Sequence, residues 1–114
     1  MTNPPAQIGD PIDAILTPAL GIDLDAFEAN MGRMATFAAE AGVRLRPHAK
    51  THKSTDIAPL QIARGAVEFC CQKLSEAEAL VAGGVEDVMI SNQVVGAARL
   101  DRLAKLAGEA RLVI

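Results

Sequence analysis

The stretch "RPHAKTHKS" (46–54) gathers Arg46, His48, Lys50, His52 and Lys53 into nine positions. From Gly42 to Thr55 there is no Asp or Glu, although the 114-residue chain has a net charge of −3. His48 and His52 stand at i, i+4, a spacing that suits a metal ion on a helix. Pro47 and a strand ending there spoil that geometry, and no Cys or carboxylate lies nearby in sequence. Amine chemistry is the second option. A lysine that closes a barrel strand, partly buried and near other cations, loses its proton readily and forms a Schiff base with a carbonyl group. The plain alternative is a solvated basic loop.

Other reactive groups are few. Cys70 and Cys71 are adjacent in what reads as a strand, where neighbouring side chains point to opposite faces, so a disulfide between them is not expected. A nucleophilic role for either would need a basic partner that the sequence does not provide. There is no glycine-rich phosphate loop of the P-loop or dinucleotide type. The hydrophobic half of the chain is Ala, Leu, Val and Ile, with three Phe, no Trp and no Tyr. The lack of stacking aromatics and the acidic balance argue against a nucleic-acid partner. No apolar run approaches 18 residues and no secretory leader is evident at the N-terminus, so the expected setting is cytoplasmic, reducing and away from membranes.

The elements that position these groups follow a rhythm. Residues 1–20 carry Pro4, Pro5, Pro11 and Pro18 and read as an extended N-terminal arm. A helix is expected from about Leu24 to Ala41, with Leu24, Phe27, Met31, Met34 and Ala38 on one face and Gly42 as its stop. A strand over "VRLRPH" (43–48) and a helix over 55–64 follow. "VEFCCQ" (67–72) is the second strand, and Ser75 with Glu78 suggests a capping box for the next helix. "DVMIS" (87–91) is the third strand. Ala97 to Ala107 reads as a helix with Leu100, Leu103 and Ala107 inward, and "RLVI" (111–114) opens a fourth strand. Strand starts at 43, 67, 87 and 111, alternating with helices, predict an α/β fold with a parallel sheet.

Parallel βα units wind into an open sheet or a closed barrel, and both place function at the carboxyl ends of the strands. There the sequence puts His48, Lys50 and His52, then Gln72 and Lys73, then Asn92 and Gln93. Three successive strand ends carry polar groups toward one rim.

Three strings in order, "RPHAKTHK" (46–53), "CCQKLSEAEAL" (70–80) and "ISNQVVG" (90–96), resemble the D-threonine aldolase family. Its relatives include 3-hydroxy-D-aspartate aldolase and eukaryotic-type D-serine dehydratase. The upstream "TPALGIDLDAFEANMGRM" (17–34) is similar to the family's opening, so the likeness covers nearly the whole chain. The resemblance implies the alanine-racemase-type (βα)8 barrel that binds pyridoxal phosphate. Residues 21–114 would form about three to four βα units of it, an N-terminal fragment whose C-terminal remainder and β-domain lie elsewhere.

The resemblance also implies roles. Lys50 would be the Schiff-base lysine, Gln72 a cofactor contact, and His48 and His52 members of the cofactor's surroundings, all in an electropositive site suited to a phosphorylated, carboxylate-bearing ligand. The substrate would be a small D-β-hydroxy amino acid. The divalent metal of the family would take its ligands from outside these 114 residues, and a homodimer stays open for the full-length enzyme. Cleavage to glycine and an aldehyde is expected first. Dehydration of D-serine or 3-hydroxy-D-aspartate and 3-hydroxy-D-aspartate aldolase activity are the near alternatives. A non-catalytic pyridoxal phosphate carrier and an inactive fragment are the alternatives of another class.

Overall fold

The computed structural model describes residues 4–114. Up to Ile22 the chain runs along the surface with one short 3-10 turn at Ile12–Ala14, and Ile8, Ile12, Leu16 and Leu20 are all exposed. Helix α1 (Leu24–Glu40) starts where the Asp23 side chain accepts the N–H of Ala26, a standard N-cap. It ends at Gly42, whose φ of +66° lets the chain reverse. Its packed stripe is Phe27, Met31, Ala35 and Ala38, narrower than the face read from periodicity; Leu24 and Met34 point to solvent.

Helix α2 (Ile57–Ile62) is shorter than expected. Pro59 stands in its first turn, where a missing N–H costs no intrahelical bond. The remaining elements are β1 (Phe69–Cys71), α3 (Leu74–Ala82), β2 (Asp87–Ile90), α4 (Ala97–Leu106) and β3 (Arg111–Val113). The three strands form one parallel sheet in the order β1-β2-β3. Phe69 pairs with Val88, which pairs with Leu112, and Cys70, Met89 and Val113 form the next row.

The strand expected at 43–48 does not form as a ladder. Residues 43–47 run extended beside β1 and make a single parallel bridge, His48 to Cys70. Two features explain the loss. Pro47 has no N–H to give. On the partner side, Leu45 O accepts from Val67 N and Pro47 O from Cys70 N, so three steps oppose two, and the extra residue is Glu68 at φ +75°. The capping box was also misplaced. Glu76, not Glu78, reaches back: its Oε2 accepts the N–H of Gln72 at 3.0 Å and of Lys73 at 3.3 Å. Glu78 lies further along α3 and pairs with Arg102 on α4.

The core lies between one face of the sheet and the helices. Phe69, Cys71, Val88 and Ile90 are fully buried there with Ala58, Ala77 and Leu80. α3 packs over β1 and β2 and touches α4. α4 contributes Leu106 and Leu103, whereas Leu100 is exposed, so its inward stripe is displaced from the expected one. Gly83 ends α3 against the loop before α2, where a Cβ would run into the Thr55 side chain. No helix among the described residues is long and apolar enough to cross a membrane.

Candidate active site

In parallel strands, in-register residues share a face and alternate residues switch it. Phe69, Cys71, Val88 and Ile90 take the helix side. The other face therefore carries Arg46, Asp87 and Arg111 at its lower end and His48, Cys70, Met89 and Val113 across its middle. Gln72 and Ser91 begin the carboxyl-end rim, and Lys50 follows two residues after His48.

The five cations and imidazoles of the signature loop separate into distinct situations. Arg46 turns down: its Nη1 donates to Asp87 Oδ1 at 2.7 Å and to Phe69 O at 3.2 Å, and Asp87 also meets Arg111 at 3.5 Å. Lys53 swings back over α3 to Glu76, 3.4 Å away. Both find acids distant in sequence, so the apparent excess of base in the loop is partly resolved by folding. Lys50 forms no ion pair among the described residues. It is exposed on the rim rather than partly buried as expected.

His48 belongs to this rim. Its Nδ1 accepts the backbone N–H of Lys50 at 3.2 Å, and its Nε2 lies 3.2 Å from Ser91 Oγ. Ser91 Oγ in turn donates to Cys71 O at 3.1 Å. With Nδ1 accepting, the hydrogen-bond pattern assigns the ring proton to Nε2.

His52 is placed differently. Its Nδ1 accepts Ser54 N at 3.0 Å and its ring stands edge-on to Phe69, with centroids 6.4 Å apart. Phe69 faces the helices, so His52 braces the loop against the core rather than the rim. Its Nε2 is buried with no hydrogen-bond partner among the described residues. Burial holds its pKa below the ordinary histidine value. His48 and His52 thus point to different surroundings, and no group of three His, Cys, Asp or Glu gathers among the described residues.

Gln72 is exposed at the end of β1, held by its backbone N–H on Glu76. It lines a polar groove of about 400 Å³ with Lys73, Ser75, Asn92, Gln93 and Arg99, between the turns that lead into α3 and α4. Lys50 and His48 do not line that groove, so the rim is in two parts, one around Lys50 and Ser91 and one around Gln72 and Asn92. Cys71 is fully buried on the helix side, and burial, aided by Glu76 and Cys70, pushes its thiol up to about 11. Cys70 and Cys71 are both free thiols. Sequence reasoning missed Ser91. It named Asn92 and Gln93 at the end of the third strand, but a serine one residue earlier carries no sequence signal that sets it apart.

Comparisons with known proteins agree with this fold. The chain matches the alanine racemase N-terminal domain over residues 22–114. It is 50% identical over 111 residues to a D-threonine aldolase of Arthrobacter sp, which covers 97% of this chain and 29% of that protein. It is 48% identical over 103 residues to a 3-hydroxy-D-aspartate aldolase of Paracoccus denitrificans, covering 90% of this chain and 27% of the relative. The crystal structure of D-threonine aldolase from Filomicrobium marinum superimposes with a TM-score of 0.91 at 55% identity, over 95% of this chain and 29% of that one. D-threo-3-hydroxyaspartate dehydratase from Delftia sp. HT23 superimposes with a TM-score of 0.76 at 38% identity, over 82% of this chain and 24% of that one. The chain therefore spans under a third of the length of these relatives, and its sheet and helices correspond to the N-terminal part of their barrel. With 93 consecutive residues, 22–114, matched to that one domain, the chain belongs to the alanine racemase N-terminal domain family.

Proposed function

We propose that this chain supplies the cofactor lysine, Lys50, of a pyridoxal phosphate-dependent lyase that acts on D-β-hydroxy amino acids. The observation that carries the reading is the isolation of Lys50. Its loop neighbours Arg46 and Lys53 are tied to Asp87 and Glu76, while Lys50 stands at the strand-end rim with no acid partner among the described residues. The similarity to D-threonine aldolases and 3-hydroxy-D-aspartate aldolases supports the same assignment.

The residues present fit the cofactor. A free primary amine suits an aldehyde that must be held covalently. The amides of Gln72 and Asn92 are neutral hydrogen-bonding groups at the same end of the sheet, suited to oxygen and nitrogen atoms of a planar heteroaromatic ring. Lys50 would hold the group covalently and Gln72 by a hydrogen bond, while His48, whose two ring nitrogens are taken by Lys50 N–H and Ser91 Oγ, would border the cofactor and order the loop that carries Lys50. His52 would act at one remove, by bracing the loop. When bound, pyridoxal phosphate supplies an electron sink for a bond broken at Cα of an amino acid.

The chain's own residues do the positioning. His48 fixes the backbone of Lys50 through Nδ1. The Glu76 carboxylate holds the turn that carries Gln72 and, through Lys53, the far side of the signature loop. The divalent metal expected of the family would take its ligands from the rest of the longer polypeptide. A proton must leave the β-hydroxyl for the Cα–Cβ bond to break into glycine and an aldehyde, and the groups that remove it would come from that part too.

Product analysis of the full-length enzyme tests the reaction. With D-threonine, glycine and acetaldehyde in equal amounts are expected. Release of ammonia with a keto acid, and no glycine, would assign the dehydratase reaction instead. No product from any D-β-hydroxy amino acid in the presence of cofactor and a divalent metal would overturn the lyase reading.

A further inference from the structure

A chain of three hydrogen bonds crosses the carboxyl ends of three adjacent extended segments. Cys71 O, at the end of β1, accepts from Ser91 Oγ at 3.1 Å. Ser91 Oγ stands 3.2 Å from His48 Nε2. His48 Nδ1 accepts the backbone N–H of Lys50 at 3.2 Å. Each link has one sense. A carbonyl only accepts, so the serine proton goes to Cys71 and the serine lone pair faces the ring. The ring then donates from Nε2 and keeps Nδ1 open for Lys50 N–H. Ser91 is itself fixed, because its own N–H donates to the same Cys71 O at 2.9 Å.

We propose that Ser91 is a positioning residue for Lys50, acting through His48. By accepting from Nε2 it selects the ring form whose Nδ1 holds the Lys50 backbone, and so sets the turn from which the lysine amine reaches its ligand. The physical need is plain. Residues 49 and 50 form a turn with no ladder to hold them, because the preceding segment makes only one bridge to β1. Ala49 N donates to Cys70 O and Lys53 N to Ala49 O on either side of Lys50, and the His48 ring is what holds the N–H of Lys50 itself. Without Ser91 the ring is free to rotate or to shift its proton to Nδ1, and either change releases Lys50 N–H.

This inference rests on Lys50 as the cofactor lysine, and the test separates the two. In the full-length enzyme, 15N-NMR of labelled histidine, assigned with His48→Asn, should show His48 as a single ring form with its proton on Nε2. Ser91→Ala should replace that signal with one averaged between ring forms and weaken pyridoxal phosphate binding by about three- to ten-fold, the worth of one neutral hydrogen bond. Ser91→Thr, which keeps the hydroxyl, should restore both. Should Ser91→Ala fold poorly, Ser91→Cys, similar in size and a weaker acceptor, gives the same reading. In a His48→Asn background, where the amide oxygen replaces Nδ1 but nothing reaches Ser91, Ser91→Ala should weaken cofactor binding no further.

An unchanged His48 signal in Ser91→Ala, or an equal loss of affinity in the His48→Asn background, overturns the positioning role while leaving Lys50 as the cofactor lysine. Cofactor carried on another lysine overturns the reading of Lys50 itself, and this inference with it.

Discussion

Lys53 Nζ lies 3.4 Å from Glu76 Oε1, and the other oxygen of the same carboxylate accepts the N–H groups of Gln72 and Lys73. One side chain on α3 therefore ties the signature loop to the turn at the end of β1, with Lys53 and Gln72 nineteen positions apart in sequence. Burial works to raise the Glu76 pKa, but the two N–H groups and Lys53 outweigh it and hold the carboxyl below its usual range.

Glu76→Gln should cost about 1–2 kcal/mol, because two charge-assisted hydrogen bonds become neutral ones and the ion pair is lost. Lys53→Met should cost less than about 1 kcal/mol, since Lys53 is mostly exposed. A group whose folded pKa is depressed stabilises fully above its unfolded value, near 4.3, and the gain is lost as pH falls through the folded value. Urea midpoints of wild type and Glu76→Gln should therefore converge below about pH 4. A constant gap from pH 7 to pH 3 would contradict the assignment.

His52 gives a second window at higher pH. Its folded pKa lies below the unfolded value, near 6.5, so the folded state binds fewer protons and stability falls as pH drops through 6.5 toward the folded value. Replacing the ring with leucine removes a buried N–H that has no partner but also gives up the contact with Ser54 N. The two effects are of similar size, so His52→Leu should stay within about 1 kcal/mol of wild type above pH 7. It should lose less stability than wild type on acidification to pH 5.5. Parallel pH profiles for the two proteins would refute the buried-histidine account.

Cys71 should be inert. It is fully buried and its thiol is pushed up to about 11, so almost none is thiolate at pH 7.5. Iodoacetamide labelling followed by mass spectrometry should leave Cys71 unmodified in native protein and modify it in urea. Rapid native labelling of Cys71 would show that the helix-side core is open.

Gln72 separates ligand binding from folding. It is exposed and its structural tie runs through its backbone, so Gln72→Ala should leave the melting temperature of the apo-protein unchanged. If its amide holds the cofactor, the same change should weaken pyridoxal phosphate binding by about 0.5–3 kcal/mol, the upper end for a charged oxygen. Equilibrium dialysis beside apo-protein melting decides the matter: unchanged affinity with a lowered melting temperature would make Gln72 a structural residue.

The alternation of strands and helices was legible because each element carries its own signal. The apolar runs at 67–72 and 87–91 and the glycines at 42, 65 and 83–84 mark boundaries that the structure keeps to within a few residues. What failed depended on contacts distant in sequence. The segment at 43–48 has strand composition, but its ladder is broken from the partner side by Glu68, whose backbone twist no local pattern announces. The loop at 46–54 looked like unpaired base because Asp87 and Glu76 approach it only after folding. His48 and His52 look equivalent in the string, and only the packing of Phe69 separates the rim histidine from the bracing one. Ser91 became visible only as the acceptor that completes the His48 ring.

The central claim is that Lys50 alone holds the cofactor. Borohydride reduction of the full-length, pyridoxal phosphate-loaded enzyme, followed by peptide mapping, should place the pyridoxyl group on the peptide containing Lys50, and Lys50→Ala should remove both the label and the activity. A pyridoxyl group on Lys53 or Lys73, or full labelling and activity in Lys50→Ala, would contradict the account.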